Sequence, residues 1–179
     1  MKRIETERLI LRKFTQNDLE DFFEYASLAT VGPRAGWIPH PDLNHSQKIL
    51  TQFILSDEVW AMEIKSISKV IGSVGIHFNN LQSVGEVHEI GYVMSTNYEN
   101  KGYMTEAVNA VLKHVFLELN LESLYVGHFI GNTKSQKLIN RFPFRYLKDE
   151  DYESRDYGMK SSKLYVMTKE DYFNNGGKK

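Results

Sequence analysis

The sequence predicts an α/β fold, with a mixed and largely antiparallel sheet carrying helices on both faces, and three observations predict it. Short runs that alternate apolar and polar residues recur along the chain, as strands with one buried face require. Helical periodicities lie between some of them, above all the single stripe of Ala107, Val108, Val111, Leu112, Val115, Phe116 and Leu119. Strand and helix patterns are also mixed rather than strictly alternating, so some strands must pair antiparallel with a sequence neighbour.

From Ile4 to Phe14, Leu9 and Leu11 alternate with Arg8, Ile10 and Arg12, which predicts a first strand. Thr15 followed by Asp18 makes a capping-box start, and Leu19, Phe22, Phe23 and Ala26 then recur on one helical face. Residues 32–41 contain three of the four prolines, which predicts a loop. Ile49, Leu50, Phe53 and Ile54 predict a second amphipathic helix, and Trp60 to Lys65 with Val70 to Phe78 a hairpin. A strand over Val87 to Met94 precedes the long helix, Tyr103 to Leu119. Leu121 to Phe129 reads as a strand, Thr133 to Arg141 as a short helix, and Ser162 to Thr168 as a closing strand before a polar tail.

The 179 residues suffice for one well-buried core, and no repeat or linker divides them, so a single domain over 1–179 is expected. Lys and Arg number 22 against 23 Asp and Glu, a net charge of -1, which gives no general attraction for nucleic acid. An acidic ligand must be held locally. Cysteine is absent, which excludes a disulfide framework, a thiolate nucleophile and a cysteine-ligated metal. The amino-terminal stretch alternates apolar and charged residues and reads as neither signal peptide nor membrane anchor, so a cytoplasmic protein without a membrane partner is expected.

Chemistry concentrates where the strand Glu89-Ile90-Gly91-Tyr92-Val93-Met94 leads through a polar connection into Asn100-Lys101-Gly102-Tyr103-Met104-Thr105. A helix start exposes N–H groups and the positive end of the helix dipole, and a glycine lets a phosphate approach the backbone. Taken alone, the same residues could be an ordinary capped helix.

Three separated stretches resemble the GNAT acetyltransferase superfamily, and within it the RimJ- and RimL-type branch that acetylates ribosomal-protein amino termini. They are Glu5-Thr6-Glu7-Arg8-Leu9-Ile10-Leu11-Arg12 with Asp18; Glu89-Ile90-Gly91-Tyr92 with Lys101 to Ala107; and Asn132 with Ser135, then Phe142-Pro143-Phe144. The resemblance implies a GNAT-like acyl-CoA N-acyltransferase fold. It also implies transfer of an acetyl group from acetyl-CoA to a primary amine, a peptide amino terminus or a small molecule, by direct attack in a ternary complex without a metal. Three positions depart from the superfamily pattern: Glu99 and Met104 flank the retained Gly102, and Pro143 replaces a glycine. Glu99 would repel a diphosphate unless turned away, and Met104 is tolerable only if its side chain points elsewhere. These departures leave open a second reading, a catalytically weak CoA-binding or sensing module.

On the resemblance, the cofactor residues are Asn100 to Thr105 for the diphosphate and the backbone of Tyr92, Val93 and Met94 for the pantetheine arm. Asn132 caps its helix, contacts the cofactor or does both, and the cofactor contact is the favoured reading. Glu89 is the candidate general base, against the alternative of a solvent-facing strand carboxylate. Ile139 occupies the position where many members carry a tyrosine acid, which leaves Ser135 as candidate donor to the CoA sulfur, or as plain first-turn chemistry. Arg34, Trp37 and His40 are the candidates on the acceptor side, although Trp37 could equally pack on the core. Tyr152, Tyr157 and Tyr165 read as structural. A homodimer stays open.

Overall fold

The computed structural model describes residues 1–81 and 84–175. Its eight strands follow the order β1-β2-β3-β4-β5-β6-β8-β7 across one sheet: β1 (Ile4–Glu5), β2 (Leu9–Lys13), β3 (Val59–Ile64), β4 (Lys69–Leu81), β5 (Gly85–Met94), β6 (Ser123–Phe129), β7 (Arg145–Ser154) and β8 (Gly158–Thr168). The pairs β1/β2, β2/β3, β3/β4, β6/β8 and β7/β8 are antiparallel, whereas β5 and β6 run parallel. The helices are α1 (Leu19–Ala26), α2 (Gly32–Ala35), α3 (Leu43–Ser56), α4 (Tyr103–Lys113), α5 (Thr133–Ile139) and α6 (Lys169–Asn174). Among the described residues no helix is long and apolar enough to cross a membrane.

The chain forms two compact units, one of Met1–Gly75 with Tyr92–Ala110, the other of Ile76–Gly91 with the chain from Val111 on. In the first, the predicted opening strand is broken. Thr6 Oγ accepts from Leu9 N at 2.9 Å and the Thr6 N–H donates to Leu9 O at 3.0 Å, so residues 6–8 turn and β1 folds back on β2. The capping box is present, with Thr15 N donating to Asp18 Oδ2 at 2.7 Å. Phe22, Tyr25 and Ala26 of α1 then meet Ile49 and Leu50 of α3 in one buried cluster, each large side chain stabilising the fold by about 1.5–3 kcal/mol. The proline-rich segment is not wholly loop. Pro33 sits in the first turn of α2, where a missing N–H costs nothing and its fixed φ suits the helix.

In the second unit, Val111, Leu112, Val115 and Phe116 are buried as predicted, but Leu119 is 49% exposed. The cause is a π turn over His114–Glu118, closed by Leu119 N to His114 O at 3.0 Å, whose extra residue rotates Leu119 out of the stripe. Two elements were not anticipated. β7 forms a long hairpin with β8, and the expected polar tail winds into α6, begun by a second capping box from Thr168 and Asp171.

Candidate active site

Within the first unit, the connection from β5 to α4 takes a shape that a phosphate can use. Asn100 and Gly102 both lie in the left-handed region, at φ 61 and 83, and both are exposed. The first intrahelical bond of α4 runs from Glu106 N to Gly102 O at 3.0 Å, so the N–H groups of Tyr103, Met104 and Thr105 precede it at the positive end of the dipole. Met104 is buried, pointing its side chain inward. Glu99 faces Arg34, with Oε1 3.5 Å from Nη1, so its charge is countered. The two departures nearest the turn, Glu99 and Met104, are therefore compatible with a diphosphate there.

The turn is fastened from the amino terminus. Arg8 donates from Nη1 to Lys101 O at 2.8 Å and from Nε to Glu106 Oε2 at 2.7 Å, while its guanidinium lies 4.6 Å from the Tyr103 ring centroid. Thr6 Oγ1 and the Arg8 N–H both donate to Glu106 Oε1, at 2.5 and 2.8 Å. Burial raises the Glu106 carboxyl, but these donors outweigh it and hold the group below its usual range. Alternation along the opening strand marks Arg8 only as a surface residue; its role depends on a partner 98 residues away.

β5 leads into this turn through Tyr92, Val93 and Met94, all half-buried. Gly72 of β4 lies against Val93 and Met94, and a Cβ there would stand 2.3 Å from Val93 O. On the candidate acceptor side, Trp37 packs against the α1/α3 cluster. His40 is buried, its Nδ1 2.7 Å from Ser46 Oγ and its ring 5.1 Å from that of Trp37. Arg34 is the exposed member of the trio.

The second unit carries Glu89, which is not the solvent-facing carboxylate that the alternative reading required. It is 8% exposed, and its Oε2 accepts from Asn79 Nδ2 and from the Tyr152 hydroxyl, both at 2.7 Å. Its Oε1 lies against β6, 3.2 Å from where a Cβ at Gly127 would stand. Leu81, Val87 and Leu164 form an apolar cluster with Tyr125 and Tyr152 packed on it. Burial first, and then the Glu89 carboxylate, push the Tyr152 hydroxyl far up, so it remains a proton donor. Tyr152 thus has a contact with the candidate base that its sequence context did not announce.

Asn132 caps α5, its Oδ1 accepting from Ser135 N at 3.2 Å, so the capping reading of Asn132 is realised. Ile139 is buried. Among the described residues no group of three or more His, Asp or Glu side chains is placed to hold a metal ion.

In sequence, the strand that bears the buried carboxylate of Glu89 runs into a helix-start turn with two left-handed residues, an order of elements compatible with an acyl-transferring enzyme of the N-acetyltransferase class. Residues 8–145 match the acetyltransferase (GNAT) domain, and the chain belongs to that family. Over 180 aligned residues it is 27% identical to the uncharacterized N-acetyltransferase p20 of Bacillus licheniformis, covering 96% of this chain and 99% of that protein. A GNAT-family acetyltransferase from Bacillus anthracis superposes with a TM-score of 0.81 at 22% identity, over 94% of this chain and 99% of the other. The spermidine N-acetyltransferase of Vibrio cholerae, solved with CoA and spermine, has a TM-score of 0.75 at 18% identity, over 94% of this chain and all of the other. The protein is an N-acetyltransferase, and enzymes of its family use acetyl-CoA.

Proposed function

We propose that the protein acetylates a primary amine, with Glu89 as general base and the turn Asn100–Thr105 as the seat of the acetyl-CoA diphosphate. The observation that carries this reading is the buried carboxylate of Glu89, three residues before Tyr92 on the same strand. Acetyl-CoA supplies an acetyl group activated as a thioester. The N–H groups after Gly102 hold its diphosphate, and the Lys101 ammonium adds attraction from the same turn. The backbone of Tyr92, Val93 and Met94 pairs with the pantetheine amides, and one N–H there polarises the acetyl carbonyl. Glu89 takes one proton from the incoming ammonium, directly or through one water; the freed amine nitrogen then forms its bond to the acetyl carbon, and it loses a second proton to solvent as the carbon–sulfur bond breaks. Ser135 donates a hydrogen bond to the departing sulfur, which is then protonated from solvent, while Asn132 holds the start of α5 and reaches the cofactor.

Residues 1–179 form one acetyltransferase domain in this proposal, since the family match runs through both compact units. On the acceptor side Arg34 contacts the substrate, with Trp37 and His40 supporting it from beneath. Acceptors of both kinds remain candidates. A polyamine is favoured by the Vibrio cholerae enzyme that binds spermine, and a peptide amino terminus by the RimJ- and RimL-like motifs.

The test incubates the protein with acetyl-CoA and a panel of spermidine, kanamycin and short peptides beginning with Ser or Ala, following thiol release and acceptor mass. At least one acetylated amine is expected, and none overturns the proposal. Glu89→Gln should lower the amine-dependent rate by about 10²–10⁴-fold. An unchanged rate at neutral and alkaline pH alike rules Glu89 out as base.

A further inference from the structure

Glu89 has two chemically inequivalent oxygens. Oε2 already accepts two hydrogen bonds, from Asn79 on β4 and Tyr152 on β7, each 2.7 Å long. Oε1 lies toward the side-chain-free backbone of Gly127. A carboxylate oxygen filled by two donors is a poor place for an incoming proton, and the oxygen with spare lone pairs is the better one.

We propose that Tyr152 is a positioning residue for acetyl transfer: with Asn79 it pins Oε2 of Glu89, leaving Oε1, beside Gly127, as the atom that takes the proton. This rests on Glu89 being the base. The acceptor ammonium loses two protons on becoming an amide: one passes to Oε1, directly or through water, and Oε1 releases it to solvent before the next turnover; the other leaves the nitrogen to solvent as the carbon–sulfur bond breaks, and the departing thiolate takes one proton back from solvent. Tyr152 transfers none. Its hydroxyl is held protonated by burial and by the adjacent carboxylate, so it serves as a fixed donor. Gly127 completes the arrangement, because even a methyl group there would crowd Oε1 at 3.2 Å and meet the Tyr152 ring at 3.8 Å.

The charged and titratable neighbours on every packed element are few. On β7, Glu150 lies two residues from Tyr152 and is paired with Lys148. On β4, His77 stands over Gly91, its Nε2 3.3 Å from where a Cβ would be. On β6, Tyr125 is the register partner of Glu89, and on β8 the carbonyl of Lys163 lies against Gly127.

Losing either donor frees Oε2 and lets the carboxylate turn, which should slow the chemical step while leaving cofactor binding as it was. Separate values of kcat and KM, measured with acetyl-CoA and the fastest amine of the panel, read this directly. Tyr152→Phe keeps the ring and removes the hydroxyl, and should lower kcat by about tenfold with the KM for acetyl-CoA unchanged. Asn79→Ala removes the other donor and should act in the same direction. Thermal melts check that both variants fold. If Glu89→Gln is inactive while both variants keep the wild-type kcat, the positioning role is overturned and the base assignment survives. If Glu89→Gln keeps the wild-type rate, both fall.

Discussion

Gly102 is a residue at which folding and binding ask for the same thing. At φ 83 it occupies a region that a β-branched residue resists, and a Cβ would stand 3.2 Å from Arg8 Nη2. Gly102→Val should therefore cost about 2 kcal/mol of stability, a fall in Tm of about 5 °C. If the exposed backbone seats a diphosphate, CoA affinity measured by calorimetry should fall by considerably more, at least tenfold beyond the folding loss. Equal losses would reduce Gly102 to a structural cap. This glycine was legible because its signal is local, a helix start after a polar connection. Glu89 was legible as a candidate by its place on the strand, but its environment was not, since its donors come from positions 10 and 63 residues away.

Among the elements, α4 shows both what periodicity conveys and where it stops. Its apolar stripe located the helix, and Glu106 in the first turn is the charge that a helix start favours. Sequence spacing could not reveal that this carboxylate also ties the helix to Thr6 and Arg8, nor that a π turn throws Leu119 outward. β7 was missed for a different reason. From Leu147 to Glu153 its residues alternate between exposed and half-buried, with Asp149, Glu150, Asp151 and Glu153 along it, and an edge strand with such charges lacks the apolar rhythm by which strands are recognised. The tie at Glu106 is acid-labile. Its carboxyl is held below the usual 4.5, so its contribution to stability is present above that pH and is lost as pH falls through the depressed folded value. Glu106→Gln should lower Tm at pH 7 and weaken CoA binding several-fold, and its Tm difference from wild type should shrink as the carboxylate is protonated in acid. A constant difference across the titration would remove the ionised carboxylate from the account.

For the molecule as a whole, the GNAT match ends at residue 145, just where β7 begins. The hairpin beyond it is not an appendage. β8 pairs with the whole of β6, from Ser123↔Thr168 to Phe129↔Ser162, and buries Leu164 and Met167. A chain truncated after residue 145 should lose cooperative unfolding by calorimetry and run as an expanded or aggregated species on size exclusion; a compact, cooperatively melting fragment would contradict this. The lashing of Arg8 to Lys101 and Glu106, across 93 and 98 residues of sequence, also has a meaning in time. Contacts of such long range form late, because the intervening chain must close first. During synthesis, at roughly 5–20 residues per second, Arg8 waits on the order of 5–20 s before Glu106 exists to receive it. The turn Asn100–Thr105 thus gains its fastening only once about a hundred residues of chain have been made, and a ligand that recognises it can reward a chain already closed there but cannot nucleate the closure.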